Sequence, residues 1–341
     1  MMKAPLRRVY AVVLNWENFS DTRLCLNSLR QSGYPDLRTI VVDNCSQDGS
    51  VDQLRQEFPD LTLRSNEFNL GFARGCNVGI REALQDPQCE YVLLLNNDAL
   101  LVPGTLKSGI EFAESDSAIG AISGKVLSSP QSSNIWYAGG QINRWRGQAN
   151  VRGFGEVDRG QYDQACEVGF VTGAFMLIKR EVLEVAGLLP EEYFFGVEEW
   201  DYSLRVQHAG YKLYYVPGFM AYHKADGSHW NYDPKFVYNS YRNKLIFQEK
   251  YLPPLVFKFW KRAFGVYGKY LARGARKRLI AAKRFKHSEA VQLDDLDFAF
   301  ARALRDHGRG ALTAKALADF EADLDLTKNN RKSRLRQLSA N

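Results

Sequence analysis

Apolar and polar positions alternate in blocks along residues 8 to 128. Each of "RVYAVVLNW", "LRTIVVDN", "LTLRSN" and "EYVLLLNND" reads as a strand, and each leads into a stretch with helical spacing of its apolar residues. The stretches that follow are "SDTRLCLNSLRQSG", "SQDGSVDQLRQEF", "GFARGCNVGIREALQ" and "VPGTLKSGIEFAES". Ser20 or Asp21 is expected to cap the first helix, which Gly33 ends. Strands alternating with helices of this length predict an α/β fold, a mainly parallel sheet sandwiched by helices. In such sheets ligands sit beyond the carboxyl ends of the strands. Three of these strands end in polar residues, namely Asn15, then Asp43 with Asn44, then Asn96, Asn97 and Asp98. All are expected to line one crevice.

The pattern weakens after residue 129. Residues 129 to 165 are rich in Gly, Ser, Gln and Trp and read as loop or short antiparallel strands. "CEVGFVTGAFMLIKREVLEVAG" looks like a strand running into a helix, and "EEWDYSLRVQHAG" like a helix stopped by Gly210. Two strands, "YKLYYVPG" and "FMAYH", are expected next. The last ninety residues or so are helical in pattern and rich in Ala, Lys and Arg.

With 341 residues, 45% of them hydrophobic, the chain has room for one large or two ordinary domains. The formal charge of +6 conceals an asymmetry: from Lys250 onward 21 Lys and Arg face 9 Asp and Glu, which leaves the first 249 residues net acidic. Five cysteines at irregular spacing, with no C-x-x-C pair, make a poor disulfide framework and suggest a reducing cytoplasm. No stretch reaches the roughly 18 apolar residues that a membrane span needs. The chain is expected to be cytoplasmic, with a peripheral place on the inner face of the cell membrane.

Chemistry concentrates at the strand ends. A lone carboxylate there is most often simply solvated, but Asp98 and Asp43 occupy equivalent places. Neither G-x-G-x-x-G after the first strand nor G-x-x-x-x-G-K-[ST] is present, so a dinucleotide fold and a P-loop are both unsupported. The glycines of "GFARGCNVG" are read as letting a helix approach a ligand closely. A diphosphate in the crevice would be repelled by Asp98 unless a divalent cation, Mg2+ or Mn2+, lay between them. A further ligand to that cation is then expected, and His223, ending "FMAYH", is the best placed; a plain hydrogen-bonded histidine is the alternative.

Together these segments resemble glycosyltransferase family 2, the nucleotide-sugar transferases of the GT-A fold, and among them the rhamnosyltransferase-like and O-antigen or cell-wall glycan members. The resemblance spans roughly residues 8 to 250 and implies a GT-A catalytic domain over 1 to 250, with a nucleotide-binding half to about 115 and an acceptor half from 116. A basic helical region, 251 to 341, follows. "VVLNW" resembles the first strand, whose end, Asn15, meets the nucleotide, and "VVDNCSQDGS" the nucleotide-binding loop with Asp43 and Asn44. "NLGFARGCNVGI" is similar to the family's N-x-G-F-x-x-G-x-N segment and implicates Asn69, Gly71 and Asn77. "LLLNNDALL" matches the D-x-D position: Asn96 stands where a first carboxylate is often found, Asn97 borders the nucleotide, and Asp98 falls on the metal-binding residue. "YHKADGS" matches the segment that closes over the diphosphate and supports His223; "YNSYRNKLIF" resembles a segment with an R-N pair, Arg242 and Asn243.

The block ending "VEEWDYSLR" resembles the acceptor side, whose second acidic residue is the family's catalytic base. Here that residue is Glu199 where the family has aspartate, with Glu198 and Asp201 beside it. Acidic residues also favour any solvated helix N-terminus, but Phe194, Phe195 and Trp200 set these three among large apolar groups, which can raise a carboxylate's proton affinity. Asp201 can instead pair with Arg205 one turn on. Trp136, Tyr137 and Trp145 are either sugar-stacking aromatics or packing.

The implied activity is inverting, metal-dependent transfer of a sugar from a nucleoside-diphosphate donor, dTDP-rhamnose or a UDP-sugar, to a glycan or lipid-linked oligosaccharide acceptor. A sugar-nucleotide nucleotidyltransferase has a similar sheet, but it usually carries a glycine-rich, basic loop where this chain reads "NWENFSDTR". Nucleic-acid binding through the basic tail leaves the acidic crevice unexplained, and no nucleic-acid partner is expected. Phe257, Trp260, Phe264, Tyr267 and Leu271 share one helical face, opposite Lys258, Lys261, Arg262, Lys269 and Arg273. That pattern suits an anionic membrane surface or, equally, a helix packed on the protein.

Overall fold

A computed structural model describes residues 6–224, 234–263, 293–308 and 313–338. The chain divides into two units: residues 1–143, 148–191 and 198–225 form the first, and residues 144–147, 192–197 and 226–341 the second.

The first unit is built on a ten-stranded sheet. Its first four strands are β1 (Arg8–Asn15), β2 (Leu37–Asp43), β3 (Thr62–Ser65) and β4 (Cys89–Leu95). They lie in the order β3-β2-β1-β4, all parallel, joined by α1 (Phe19–Arg30), α2 (Ser50–Glu57) and α3 (Phe72–Leu84). Near-continuous apolar runs suit this arrangement, because interior parallel strands are covered on both faces. Val9, Ala11, Val12 and Val13 of β1 and Val92, Leu93, Leu94 and Leu95 of β4 are all buried.

Beyond β4 the sheet becomes mixed. After β5 (Ala99–Leu101) and α4 (Thr105–Ala113) come β6 (Ile119–Ser129), β7 (Ser132–Tyr137), β8 (Gly140–Asn143), β9 (Gln148–Val151), β10 (Cys166–Glu167) and β11 (Phe175–Lys179). The helices α5 (Arg180–Val185) and α6 (Glu198–His208) and the strand β12 (Lys212–His223) complete the unit. β11 is inserted antiparallel between β4 and β6, and β12 runs parallel to β6. β8 and β9 pair separately as an antiparallel hairpin.

Several local expectations are corrected. The cap of α1 is Asn18, whose side chain accepts from the Asp21 N–H, in place of Ser20 or Asp21. The two strands expected over residues 211 to 223 are one, β12, interrupted by a register shift between Val216 and Met220. At that shift the Phe219 carbonyl lies so near Gly124 that a Cβ there would sit 1.7 Å from its oxygen, so β6 needs glycine at this point. The glycines of α3 serve the sheet: a Cβ at Gly75 would meet Leu14 Cδ1 at 2.5 Å, and one at Gly79 would meet Val12 Cγ1 at 2.5 Å. They let α3 lie close on β1 and β2, where close approach to a ligand had been expected.

The second unit contains α7 (Pro234–Tyr251), α8 (Leu293–Asp306) and α9 (Ala314–Leu338). Tyr238 stacks on Phe320 at 4.4 Å in one apolar cluster, and Leu245, Leu252, Phe257 and Phe300 form another, with Trp260 against it. Phe257 and Trp260 thus pack within this unit, while the rest of the basic amphipathic stretch, from Phe264 to Lys286, lies outside the described residues. No helix among the described residues is long and apolar enough to cross a membrane.

Candidate functional site

Parallel pairing of β1 with β2 sets Asn15 directly opposite Asp43 at the carboxyl ends of the strands. Both are buried, and buried polar groups must find partners. Asn15 Nδ2 donates to Asp43 Oδ1 at 2.7 Å and to Ser50 Oγ at 3.0 Å. Asp43 also accepts from the Ser46 hydroxyl at 2.6 Å and the Ser46 N–H at 3.0 Å. Thr22, on the first turn of α1, donates to Asn15 Oδ1 at 2.7 Å and accepts from Asn97 Nδ2 at 3.0 Å. One chain of hydrogen bonds therefore joins the ends of β2, β1 and β4, and the three polar strand ends do come together.

Asn44, Asn69 and Gly71 form a second knot. Asn44 Nδ2 donates to Asn69 Oδ1 at 2.9 Å and to the Gly71 carbonyl at 3.0 Å, and its Oδ1 accepts from the Leu70 N–H and from Asn66 Nδ2. Asn69 Oδ1 accepts from the Gly71 N–H as well, and Gly71, at φ 79°, starts α3. These residues shape the loop over 66–71 at the crevice rim. Asn77 lies apart from the rim: it is fully buried, donates to the Leu189 carbonyl and to Glu191 at 2.9 Å each, and accepts from the Leu189 N–H. Its amide ties α3 to the segment after α5.

Asp98 lies in the tight turn at the end of β4, in which the Ala99 N–H bonds the Asn96 carbonyl. β5 pairs antiparallel with β12, placing Ala99 opposite His223, so His223 stands next to Asp98. His223 Nε2 is 3.0 Å from Asp98 Oδ1 and 3.1 Å from Asn96 Nδ2. Trp136, on β7, meets the imidazole edge to face with centroids 4.4 Å apart. His223 is buried, and its Nδ1 has no hydrogen-bond partner among the described residues. Burial pushes the Asp98 carboxyl up, but the hydrogen bond and charge of His223 more than offset it, and the net displacement is below the usual carboxylate value.

This pair fits a divalent cation. The carboxylate oxygen suits Mn2+ or Mg2+, the imidazole nitrogen favours a transition ion such as Mn2+ over Mg2+, and the 3.0 Å between them matches two adjacent ligands whose bonds to an octahedral ion are about 2.1 Å long. No group of three or more His, Cys, Asp or Glu placed to hold a metal occurs among the described residues. An ion here would take its remaining ligands from diphosphate oxygens and water.

The acidic helix start is tied to the turn before β11, the strand paired with β4. The Asn96 N–H donates to the Ala174 carbonyl at 3.0 Å, joining the Asp98 turn to the turn before β11. Gly173, in that same turn, lies against Glu199: a Cβ built on it would be 3.6 Å from the Glu199 Cβ. Ser203 accepts from the Val171 N–H at 3.2 Å and fixes α6 to this segment. Glu199 is half-buried, Glu198 is buried on the side of Cys76, and Asp201 is buried and accepts from Arg205 Nε at 3.0 Å. Of the aromatics, Tyr137 is core, Trp136 lies at His223, and Trp145 is exposed between Arg144 and Arg146.

Thr22, Ser46 and Ser50 escaped the sequence reading. Thr22 gives no signal in the sequence by itself: its hydroxyl matters because α1 begins against the end of β1.

The family model described as glycosyl transferase family 2 matches residues 12–187. An N-acetylglucosaminyl-diphospho-decaprenol L-rhamnosyltransferase of Mycobacterium tuberculosis is 24% identical over 218 residues, which cover 59% of this chain and 71% of that protein. Among solved structures, the mannosyltransferase PcManGT of Pyrobaculum calidifontis, in complex with GDP-Man and Mn2+, aligns with TM-score 0.51 and 19% identity over 97% of this chain and 84% of its own. GalNAc-T7, with UDP, GalNAc and Mn2+, aligns with TM-score 0.57 and 13% identity over 96% of this chain and 58% of its own. At these identities the structural likenesses speak for the fold, a mixed α/β sheet flanked by helices of the GT-A type.

Proposed function

This chain belongs to glycosyltransferase family 2, and we propose that it transfers a sugar, with inversion, from a nucleoside-diphosphate donor to a hydroxyl of a growing, lipid-linked surface glycan. The proposed donor is dTDP-rhamnose or a UDP-sugar, in keeping with the rhamnosyl transfer in the mycobacterial relative's name. The observation that supports the reading is the Asp98–His223 contact at the turn after β4, together with Glu199 lying against Gly173 in the turn before β11, to which the Asn96 N–H is bonded.

In this reading the Asp43–Asn15–Thr22–Asn97 network and the 66–71 loop shape the nucleotide crevice, and Asp98 and His223 hold Mg2+ or Mn2+ at the diphosphate. The bound ion supplies Lewis-acid stabilisation of the charge that gathers on the departing diphosphate. Glu199 takes the proton of the acceptor hydroxyl as its oxygen bonds the anomeric carbon and the bond from that carbon to the diphosphate oxygen breaks. A positioned base of this kind contributes about 10² to 10⁴ in rate. Asp201, committed to Arg205, braces the helix. Domain limits of 1–250 for catalysis and 251–341 for a basic extension go with this proposal, as does a peripheral membrane position.

The test is a thermal-shift screen of UDP, dTDP and GDP with and without Mn2+, followed by assay of nucleoside-diphosphate release. Stabilisation by one nucleotide that needs the metal, and is lost in Asp98→Ala, is expected. Equal stabilisation with a chelator present would refute metal-assisted donor binding, and an unimpaired Glu199→Gln would refute the base.

A further inference from the structure

The two residues that lead into α6 are both left-handed, Gly196 at φ 85° and Val197 at φ 82°. Glycine adopts this region freely, but a β-branched residue there is a genuine outlier, and such conformations persist only where the surroundings over-determine them. Within the second unit the surroundings are two amides on α7. Asn239 Nδ2 donates to the Phe195 carbonyl at 2.6 Å, and Asn243 Nδ2 donates to the Phe195 and Gly196 carbonyls at 2.9 Å each. Both asparagines are buried and, four residues apart, share one face of the helix. The Gly196 carbonyl belongs to the peptide plane that contains the Val197 nitrogen. Holding that carbonyl therefore fixes the plane from which the Val197 φ is set, and the next residues are Glu198 and Glu199.

We propose that Asn239 and Asn243 are positioning residues for the transfer reaction. They lock the 195–197 turn in its left-handed form, which decides where α6 begins and hence where the Glu199 carboxylate stands. The inference rests on the reading of Glu199 as the base. It adds a reason for an arginine-asparagine pair so far along the chain: Asn243 acts through the backbone of a turn almost fifty residues earlier, without touching substrate.

The experiment compares Asn243→Ala, the milder Asn239→Ala, Glu199→Gln and the double variant Glu199→Gln with Asn243→Ala. Binding of UDP and dTDP with Mn2+ is measured by calorimetry, which also counts competent sites. Turnover per competent site is measured as diphosphate release from whichever of dTDP-rhamnose, UDP-glucose and UDP-N-acetylglucosamine the wild type uses fastest. Asn243→Ala is expected to lose about 10²-fold in turnover per site, as misplacement of a reacting group by about 1 Å does, with nucleotide Kd unchanged within about twofold. Asn239→Ala, which leaves both Asn243 bonds, is expected to lose less. Because both residues act through one carboxylate, the double variant should be no slower than Glu199→Gln. A multiplicative loss in the double variant, or an Asn243→Ala turnover within about twofold of wild type beside an impaired Glu199→Gln, would overturn the positioning role alone. A Glu199→Gln enzyme at wild-type rate would overturn the base assignment, and the positioning role with it.

Discussion

Asp98→Asn keeps the shape of the side chain and removes its charge, and for nucleotide binding it should act in opposite directions with and without metal. The Asp98 side chain is 27% exposed, and its carboxyl is held below the usual value by His223, so it is ionised at neutral pH. A phosphate brought near it feels a like charge. Two unit charges about 4 Å apart interact by about 4 kcal/mol at an effective dielectric of about 20 and by about 1 kcal/mol in bulk water. Partial exposure places the real repulsion nearer the lower figure. Without metal, Asp98→Asn should therefore bind dTDP or UDP at least about fivefold more tightly than wild type, since 1.4 kcal/mol is about tenfold. With Mn2+ the order should reverse, because the variant offers one imidazole and a neutral amide where the wild type offers an anionic oxygen. Titration calorimetry with EDTA and with Mn2+ measures both arms. A variant that binds nucleotide less tightly than wild type in EDTA, or gains as much from Mn2+, would refute the placement of the diphosphate beside Asp98.

Thr22→Val is nearly isosteric but leaves Asn15 Oδ1 and Asn97 Nδ2 without their shared hydroxyl; it should cost about 1 to 3 kcal/mol in urea unfolding and weaken nucleotide binding as well. Gly79→Ala should destabilise more than Gly75→Ala, because its Cβ meets the stiff Val12 branch at 2.5 Å while that of Gly75 meets the mobile end of Leu14. Overpacking of about 1 to 3 kcal/mol at Gly79 exceeds the roughly 1 kcal/mol that Ala gains in a helix. The Asp86 carboxyl is held down to about 2 by the Gln88 N–H, Arg8 and Tyr10. Its folded value is below its unfolded one, so its stabilisation is present above about pH 4 and is lost as pH falls towards about 2. Asp86→Asn should flatten the fall of the urea midpoint in that acid window alone, and an unchanged acid slope would contradict the assignment.

The parallel half of the sheet was legible because its strands are buried on both faces and so appear as unbroken apolar runs closed by polar residues, as in "YAVVLN" and "YVLLLNND". The antiparallel insertion of β11 between β4 and β6 was not, because "FMLIK" has the same composition as a parallel strand and its neighbours are chosen by contacts far along the chain. β12 was read as two strands because Pro217 and Gly218 look like a turn. The fold uses them to shift register against β6. The glycines of α3 were assigned to a ligand for a related reason: a small residue announces that something comes close, and the sequence does not say whether that is a substrate or the branched side chains of β1 and β2.

The candidate site divides along the same line. Asn15, Asp43 and Asn97 are brought together by the strand pattern alone, since adjacent parallel strands bring their carboxyl ends to one edge. Their link through Thr22 could not, because a hydroxyl inside a helix is ordinarily a neutral choice and becomes informative only once the helix is seen to begin against the strand end. His223 is the sharper case. Nothing local distinguishes a histidine at the end of "FMAYH" from a buried, hydrogen-bonded one; the need for a second ligand beside Asp98 points to it, and the resemblance supports it. The physical cause of their meeting is a three-residue antiparallel ladder, Ala99 to Leu101 against Ala221 to His223. That ladder sets the 3.0 Å contact across more than a hundred residues of sequence. A one-residue slip in it would turn His223 to the opposite face of the sheet. The metal proposal therefore depends on the register of β5 with β12 as much as on the two side chains. A substitution that disturbs that register, such as proline for Leu100, whose neighbours on both sides are paired, should abolish metal-dependent nucleotide stabilisation while leaving Asp98 and His223 in the sequence.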